Sequence, residues 1–325
     1  EARHIYNFGQ DSTFAGRTSA GGYKDATGIG DFKYPVPDGA LALCSNNLSR
    51  LDNQRNSTSL INPKKHFGVV TWTGNSSTSN RKISGLEFQP DLVWTKTRNY
   101  TYHHVLFDSN RGPSNRINAD RSQGENTTNG GYLASFDHDG FTWQYGGGSP
   151  NEWWNLNYNY VAWCWKAGGT AVANNDGDVT SQVSVNDEAG FSIVKFTSPA
   201  SGDAYTIGHG LGKIPELIIM KNRSENNNWD IYHHGNGGSP QTYRVRLNTN
   251  DSRTSATACN NTTPTSTLFT SRTSGNWYNA NSNVIAYCWY SIPGYSAFGC
   301  YEGNGNADGP YVAVGFRPAM IIIKS

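Results

Sequence analysis

Along most of the chain, short apolar runs alternate with polar turns that are rich in glycine, asparagine and proline. One run recurs three times, at 85–96, 210–221 and 315–324, and in each copy a proline is followed six positions later by a lysine. A proline turn that leads into an apolar run is typical of a strand entered from a tight turn. No stretch shows a convincing helical period. The pattern therefore predicts β-strands.

The repetition covers far more than this one run. The segment 67–73 matches 191–197 at an offset of 124 residues, and the asparagine-containing segment 155–165 matches 279–289 at the same offset. A constant offset across about 100 residues indicates tandem duplication rather than chance similarity. A third copy opens at Gly294, with a shorter spacing between its motifs.

Each repeat contains about seven strand candidates separated by turn signals, which fits an antiparallel β-sandwich. The predicted fold class is all-β, with tandem antiparallel β-sandwich modules of the jelly-roll type. Because the chain starts without methionine and stops within a repeat, we expect an internal fragment of a longer polypeptide. The predicted segments are the end of a preceding β-domain (1–52), a linker (53–66), repeat 1 (67–168), a linker (169–189), repeat 2 (190–292) and the start of an incomplete repeat 3 (293–325).

Composition narrows the range of functions. The net charge is +1 and 16% of the residues are charged, so the sequence offers no basic footprint for nucleic acid. No apolar run approaches the roughly 18 residues of a membrane-spanning helix. The five cysteines form no pair with metal-ligand spacing. We therefore expect no nucleic-acid partner, no membrane insertion and no cofactor.

Several motifs of the first repeat carry a family resemblance: Gly85–Lys96, His104–Ser109, Asp137–Phe141 and Tyr160–Gly169. Together they resemble a repeat of large virion proteins from marine tailed bacteriophages, of the cyanophage type. Residues 1–52 look similar to the exit from a SPRY-like sandwich that often precedes such repeats. The resemblance covers nearly the whole chain.

This resemblance implies concanavalin A-like modules in a non-enzymatic structural protein of the virion surface, such as a tail fibre, a capsid fibre or a decoration protein. The implied partners are other virion proteins and further copies of the chain, with a trimer expected by analogy with phage fibres. The favoured ligand is a host-cell surface polysaccharide. Two alternatives stay open: a secreted polysaccharide-acting enzyme with a concanavalin A-like fold, and a bacterial surface adhesin.

An aromatic and asparagine-rich cluster is the best candidate for ligand contact. Flat aromatic rings can stack on the apolar faces of sugars, and neighbouring amides supply hydrogen-bond donors and acceptors. The competing interpretation is that the rings close the end of each sandwich and pack in its core. Tyr145, Tyr158 and Tyr160 belong to the same cluster. The candidate glycan-binding residues are Trp143, Trp153, Trp154, Asn155 and Asn157 in the first repeat and Trp277, Tyr278, Asn279 and Asn281 in the second.

Other constellations give weaker signals. A glycosidase needs two carboxylates about 5–10 Å apart across one bond, and Asp137, Asp139 and Glu152 are the candidates in the first repeat. Glu152 aligns with an asparagine in the second repeat, which argues against a duplicated active site. The adjacent histidines at 103–104 and 233–234 would point to opposite faces of a strand and could not easily share one metal ion. We therefore expect neither catalytic residues nor a metal site.

Overall fold

The computed structural model of the chain is all-β, and its strand ladders are antiparallel in the part that it describes. The prediction of an antiparallel all-β fold is thus confirmed, while the jelly-roll connectivity stays a prediction. The chain divides into two compact units, residues 1–59 and 60–325. The structure describes residues 12–13, 16–26, 28–37, 42, 62–126, 131–144, 157–201, 204–255, 261–273 and 278–324.

In the first unit, a buried aspartate organises the described residues. Asp25 is 5% exposed, and its carboxylate accepts hydrogen bonds from the backbone N–H of Ile29 (3.0 Å) and of Ala42 (2.9 Å). Tyr23 and Phe32 form an antiparallel bridge beside it. The SPRY-like character of residues 1–52 stays a prediction.

The first repeat folds into two sheets that face each other across a core. The first large sheet has the strand order β1-β8-β3-β4-β5, and the first small sheet has the order β2-β7-β6. Val70, Phe107 and Phe141 are among the side chains that fill the space between them. The strands are β1 (Phe67–Thr73), β2 (Arg81–Ser84), β3 (Leu92–Thr97), β4 (Val105–Asp108), β5 (Ile117–Asn118), β6 (Tyr132–Asp137), β7 (Gly140–Gln144) and β8 (Asn159–Trp165).

The second repeat has the same plan. The second large sheet has the order β16-β15-β14-β13-β18-β11-β10-β9, and the second small sheet pairs β12 with β17. Phe196, Met220 and Phe269 lie in the core between these sheets. The strands are β9 (Val172–Asn174), β10 (Ser181–Asn186), β11 (Phe191–Thr197), β12 (Ala204–Gly208), β13 (Leu217–Asn222), β14 (Asp230–His233), β15 (Tyr243–Arg246), β16 (Thr254–Ser255), β17 (Leu268–Arg272) and β18 (Asn283–Trp289).

The strand registers show the duplication directly. In the first large sheet Phe67 lies opposite Trp165, and in the second large sheet Phe191 lies opposite Trp289. Both residues of the pair are displaced by 124 positions, which is the offset found in the sequence. The equivalent strands therefore pair in the same register in both repeats.

The segment 169–189, which was interpreted as a linker, contains two strands in the structure. It supplies the hairpin β9–β10, and β10 pairs with β11 at the edge of the second large sheet. The alternation that produces this strand is present in the sequence, because Val183 (2% exposed) enters the core while Gln182 faces the other side. The polar residues 175–180, which include Asp176 and Gly177, join the two strands of this hairpin.

A central core lies between the two large sheets and joins the repeats. Its side chains come from equivalent positions: Trp94 corresponds to Ile219, and Leu106 corresponds to Ile231. The rings of Trp165 and Trp289, which are themselves equivalent, lie 6.4 Å apart. Burial of each such side chain stabilises the contact by about 1.5–3 kcal/mol. Both large sheets are consequently covered on both faces where this core extends.

A buried ion cluster lies at the same junction. The side chains of Asp108 and Arg111 are both 0% exposed and form an ion pair. Arg111 also reaches Glu125 (3.1 Å), which in turn binds Arg223 of the second repeat (2.7 Å). The hydroxyl of Tyr287, also in the second repeat, donates to Asp108 at 2.7 Å. Burial alone would lower the pKa of Arg111, but Asp108 and the other partners hold that pKa above its ordinary value.

The polar contacts between the repeats join different parts of the two repeats. The segment after β4 of the first repeat lies on the second large sheet, where Asn110 donates to the carbonyl of Ile193 (2.8 Å). The ammonium of Lys221, at the end of β13, donates to the carbonyl of Ser122 (2.8 Å). One repeat thus offers the region after its fourth strand, and the next offers its sheet face.

The third copy repeats one of these contacts with the second repeat. Lys324, which corresponds to Lys221, donates to the carbonyl of Thr249 (2.9 Å). His234 contacts the carbonyl of Phe298 at 2.9 Å. The apolar residues of the third copy's motif, however, form no strand within the described 297–324 segment, and Ile321 is 69% exposed.

The ion cluster gives the first test. We expect Arg111→Met to destabilise the protein by about 3–5 kcal/mol, because Asp108 would remain buried without a countercharge. The double variant Asp108→Leu/Arg111→Met should recover much of that loss, since both charges are removed. Urea-induced unfolding measures both effects.

The control is the exposed ion pair between Lys82 and Asp139. Lys82→Ala should change the unfolding free energy by less than about 1 kcal/mol. If Arg111→Met lowered the unfolding free energy by no more than Lys82→Ala does, the stabilising role of the buried ion cluster would be contradicted.

Candidate functional site

Two of the sequence-predicted aromatic residues lie in cores rather than on a binding surface. Trp143 is 1% exposed, and its ring lies 5.4 Å from that of Phe107 and 5.5 Å from that of Phe141. Tyr278 is 0% exposed and belongs to the core of the second sandwich. Neither ring can stack on a sugar from solvent, so the prediction of glycan contact by these two residues is corrected to a packing role.

The other candidates fall into two groups. Asn157, Asn279 and Asn281 are exposed. Asn281 has a φ of 60°, a left-handed conformation in which asparagine is favoured among residues other than glycine, so its place is set by a turn. The remaining candidates lie outside the described residues: Trp153, Trp154, Asn155 and Trp277.

Beside Asn157 the structure brings together three tyrosines, Tyr100, Tyr102 and Tyr158, here called the tyrosine cluster. The rings of Tyr100 and Tyr158 are stacked, with 4.8 Å between centroids and 21° between planes. The ring of Tyr102 lies 4.5 Å from that of Tyr100 and meets Tyr158 edge-on at 5.9 Å. Tyr100 is 47% exposed, so part of this aromatic surface faces solvent.

Two neighbouring strands hold the tyrosine cluster in place. Tyr100 and Tyr102 follow β3, and Tyr158 immediately precedes β8, which pairs with β3. The ammonium of Lys96 donates to the carbonyl of Tyr100 (3.0 Å) and so fixes the loop after β3. The side chain of Asn99 accepts a hydrogen bond from the backbone N–H of Asn159 (2.8 Å) and ties the two segments together.

Burial shapes the ionisation of the groups around the cluster. Partial burial lowers the pKa of Lys96, and the nearby Asp120 opposes that shift. Beneath the cluster, Tyr160 is 0% exposed and stacks on Trp72 at 5.4 Å. Burial raises the pKa of Tyr160, and Tyr102 and Tyr158 add to the increase, so its phenol is neutral at physiological pH.

The chemistry available at this surface is stacking and hydrogen bonding. Tyrosine rings present flat apolar faces with a polar rim. Asn99 and Asn157 are exposed next to the cluster, and each amide carries donors and an acceptor. An exposed aromatic platform flanked by amides can therefore hold a pyranose ring through its apolar face and its hydroxyl groups.

Sequence reasoning found only part of this surface. Tyr158 and Asn157 lie in the cluster identified from the sequence, but Tyr100 and Tyr102 do not. The signal for them was the run Asn-Tyr-Thr-Tyr at 99–102, which begins two residues after the end of β3. Because β3 and β8 are neighbours in the sheet, their ends must meet, and this neighbour relation was not available from one strand's pattern.

The described residues of the second repeat that are equivalent to the tyrosine cluster are not aromatic. The positions of Tyr100 and Tyr102, displaced by 125, hold Glu225 and Asn227, and that of Tyr158, displaced by 124, holds a serine. Both oxygens of the Glu225 carboxylate accept hydrogen bonds from the amide of Asn279, at 2.7 and 2.8 Å. Among the described residues, the tyrosine cluster is therefore a feature of the first repeat.

The acidic candidates have structural partners. Asp137 accepts hydrogen bonds from the hydroxyls of Ser135 and Thr142, both at 2.7 Å, and Asp139 pairs with Lys82 at 2.6 Å. Glu152 lies outside the described residues. These contacts fix the β6–β7 hairpin.

The histidine pair at 103–104 is engaged in the fold. His103 contacts Asp120 at 2.8 Å, and His104 accepts a hydrogen bond from the indole N–H of Trp94 at 3.0 Å. In the described part of the chain, no group of three or more histidine, cysteine, aspartate or glutamate residues is arranged to hold a metal ion. Nor do these residues include a helix with the length and apolarity to span a membrane.

Comparison with known proteins yields one match. Residues 62–325, which include both sandwiches, match the family described as Domain of unknown function (DUF7483). No curated protein and no solved structure matches the chain.

Proposed function

The chain belongs to the DUF7483 family, and we propose that it is a non-enzymatic structural protein of a bacteriophage virion that contacts host-cell surface polysaccharide. The tyrosine cluster carries the proposal, because it is an exposed aromatic platform bordered by amides. The protein would form part of a tail fibre or a capsid fibre, or serve as a decoration protein on the particle surface. Its partners are other virion proteins and further copies of itself, with a trimer as the assembly suggested by analogy.

The junction between the repeats supports a mechanical role. Domains within one chain move relative to each other unless their interface is large and apolar. Here the central core and the buried ion cluster join two sandwiches, so the pair behaves as one stiff body. A chain of stiff repeats gives length to a fibre and presents its surface residues at fixed positions.

The arrangement of the tyrosine cluster supports the sugar-binding role. When a sugar face covers a large exposed aromatic ring, apolar surface is removed from water, which favours binding. Tyrosine side chains have few rotatable bonds, so ordering them on binding costs little conformational entropy. The cluster is also held from behind, by the bond between Lys96 and the Tyr100 carbonyl. A preorganised platform of this kind suits weak contacts, which repeated copies on a particle convert into strong attachment.

Immunogold electron microscopy of purified particles tests the virion assignment. With antibody raised against the chain, we expect label at the tail, its fibres or the head surface of the phage that encodes it. Particles that carry no label, with the protein found only in the medium, would contradict the proposal and favour a secreted protein.

A panel of bacterial surface polysaccharides tests the ligand assignment. We expect the protein to bind at least one of them, and Tyr100→Ala to weaken that binding at least tenfold, which corresponds to about 1.4 kcal/mol. Tyr301→Ala is the matched control, because Tyr301 is 49% exposed and lies in the third copy. Equal losses in both variants, or no binding by the unaltered protein, would contradict the role of the tyrosine cluster.

A further inference from the structure

We infer that the surface formed by the tyrosine cluster and Arg98 takes an anionic polysaccharide, with the guanidinium of Arg98 binding the carboxylate of an acidic sugar. This inference rests on the proposed function, since it names the class of sugar recognised by the same surface. The basis is a comparison between the two repeats. Each has an arginine at the same backbone position, but the partners of the two arginines differ.

The framework is the same in both copies. Arg98 and Arg223 are equivalent at an offset of 125 residues, and each follows a strand that pairs with the last strand of its repeat. The backbone N–H of Arg98 donates to the carbonyl of Asn159, and that of Arg223 donates to the carbonyl of Asn283, both at 2.7 Å. The two arginines therefore leave the sheet at the same place.

The second repeat shows what an arginine at this position can do. Two nitrogens of Arg223 donate to the two carboxylate oxygens of Glu125, at 2.9 and 2.7 Å. This is the two-pronged geometry for which the planar guanidinium is suited, and it is more specific than a single ammonium contact. The carboxylate that fills this site comes from the neighbouring repeat.

In the first repeat the carboxylate is missing from the described surroundings. Arg98 is exposed, and no ion-pair partner for it occurs among the residues that the structure describes. The segments 96–102 and 157–160, which form the surface, contain no aspartate or glutamate. Lys96 adds a second positive charge next to the loop.

In the described part of the repeat, Asp120 is the acidic side chain that acts on Lys96, and it has partners of its own. Its carboxylate is held by His103 at 2.8 Å and by the backbone N–H of His104 at 3.2 Å. Counting the described residues alone, Lys96 and Arg98 outweigh Asp120, and this part of the surface has a net positive charge.

The position of Arg98 suits a sugar stacked on the tyrosines. Arg98 lies two residues before Tyr100 and pairs through its backbone with Asn159, which directly follows Tyr158. Two residues of extended chain cover at most about 7 Å, a distance that a long arginine side chain can bridge. A carboxylate on a pyranose ring over Tyr100 is thus within range of the guanidinium.

The equivalent surface of the second repeat is unsuited to an acidic sugar. The position of Tyr100 is taken there by Glu225, whose carboxylate binds the amide of Asn279. A fixed negative charge at this place would repel an acidic sugar. The inferred specificity therefore belongs to the first repeat only.

The test compares two polymers that differ only in charge: polygalacturonate and the neutral galactan made from it by carboxyl reduction. We expect the protein to bind polygalacturonate about tenfold more tightly at low salt, since hydrogen bonds to charged groups are the strong ones. Arg98→Ala should remove this preference and leave binding of the neutral polymer unchanged. Tyr100→Ala should weaken both. Arg317→Ala, which removes an exposed arginine of the third copy, is the matched control.

The outcomes separate this inference from the proposed function. Equal affinity for the two polymers, still dependent on Tyr100, would overturn the inference and leave the proposed function standing. Binding of neither polymer would also overturn it, while the polysaccharide panel decides the proposed function separately. If Arg98→Ala instead abolished self-association in sedimentation and left polysaccharide binding unchanged, Arg98 would belong to a protein interface and the inference would be wrong.

Discussion

The structure depends on a pair of charges that water does not reach. Asp108 and Arg111 lie in the first repeat with both side chains fully buried, and a buried ion pair is tolerated only where further hydrogen bonds satisfy its remaining atoms. Tyr287 of the second repeat supplies one such bond, and Glu125 connects the cluster to Arg223. Each repeat thus completes a site that the other contains, and separation of the two sandwiches would leave charged groups without partners.

The duplication explains how one design serves two purposes. Lys96 and Lys221 are the second-last residues of the equivalent strands β3 and β13, and each donates to a backbone carbonyl of the loop that follows. Lys221 additionally holds the neighbouring repeat through Ser122, whereas the corresponding region of the first repeat holds the tyrosine cluster. The same strand end is therefore an internal junction in one copy and an outward surface in the other.

Much of the fold could be predicted from the sequence, because alternation and the 124-residue offset report directly on strands and duplication. The location of the aromatic rings could not. Alternation divides a strand's side chains between two faces but does not say which face meets water, and here the large sheets are buried on both. Trp143 lies on β7 of the first small sheet and faces the core of its sandwich, although its neighbours in sequence favoured a surface. The segment 169–189 was interpreted as a linker for a related reason: β10 contains only two valines, which are too few to distinguish a strand from a polar connection.

The central claim is that the two sandwiches form one cooperative body, and native-state hydrogen exchange measures this most directly. Peptides from β3 and from β13 report on the first and second large sheets, respectively. We expect both regions to lose protection with the same opening free energy and the same denaturant dependence, because neither repeat can open without disrupting the shared core. Opening of one repeat at clearly lower free energy, while the other remains protected, would contradict it.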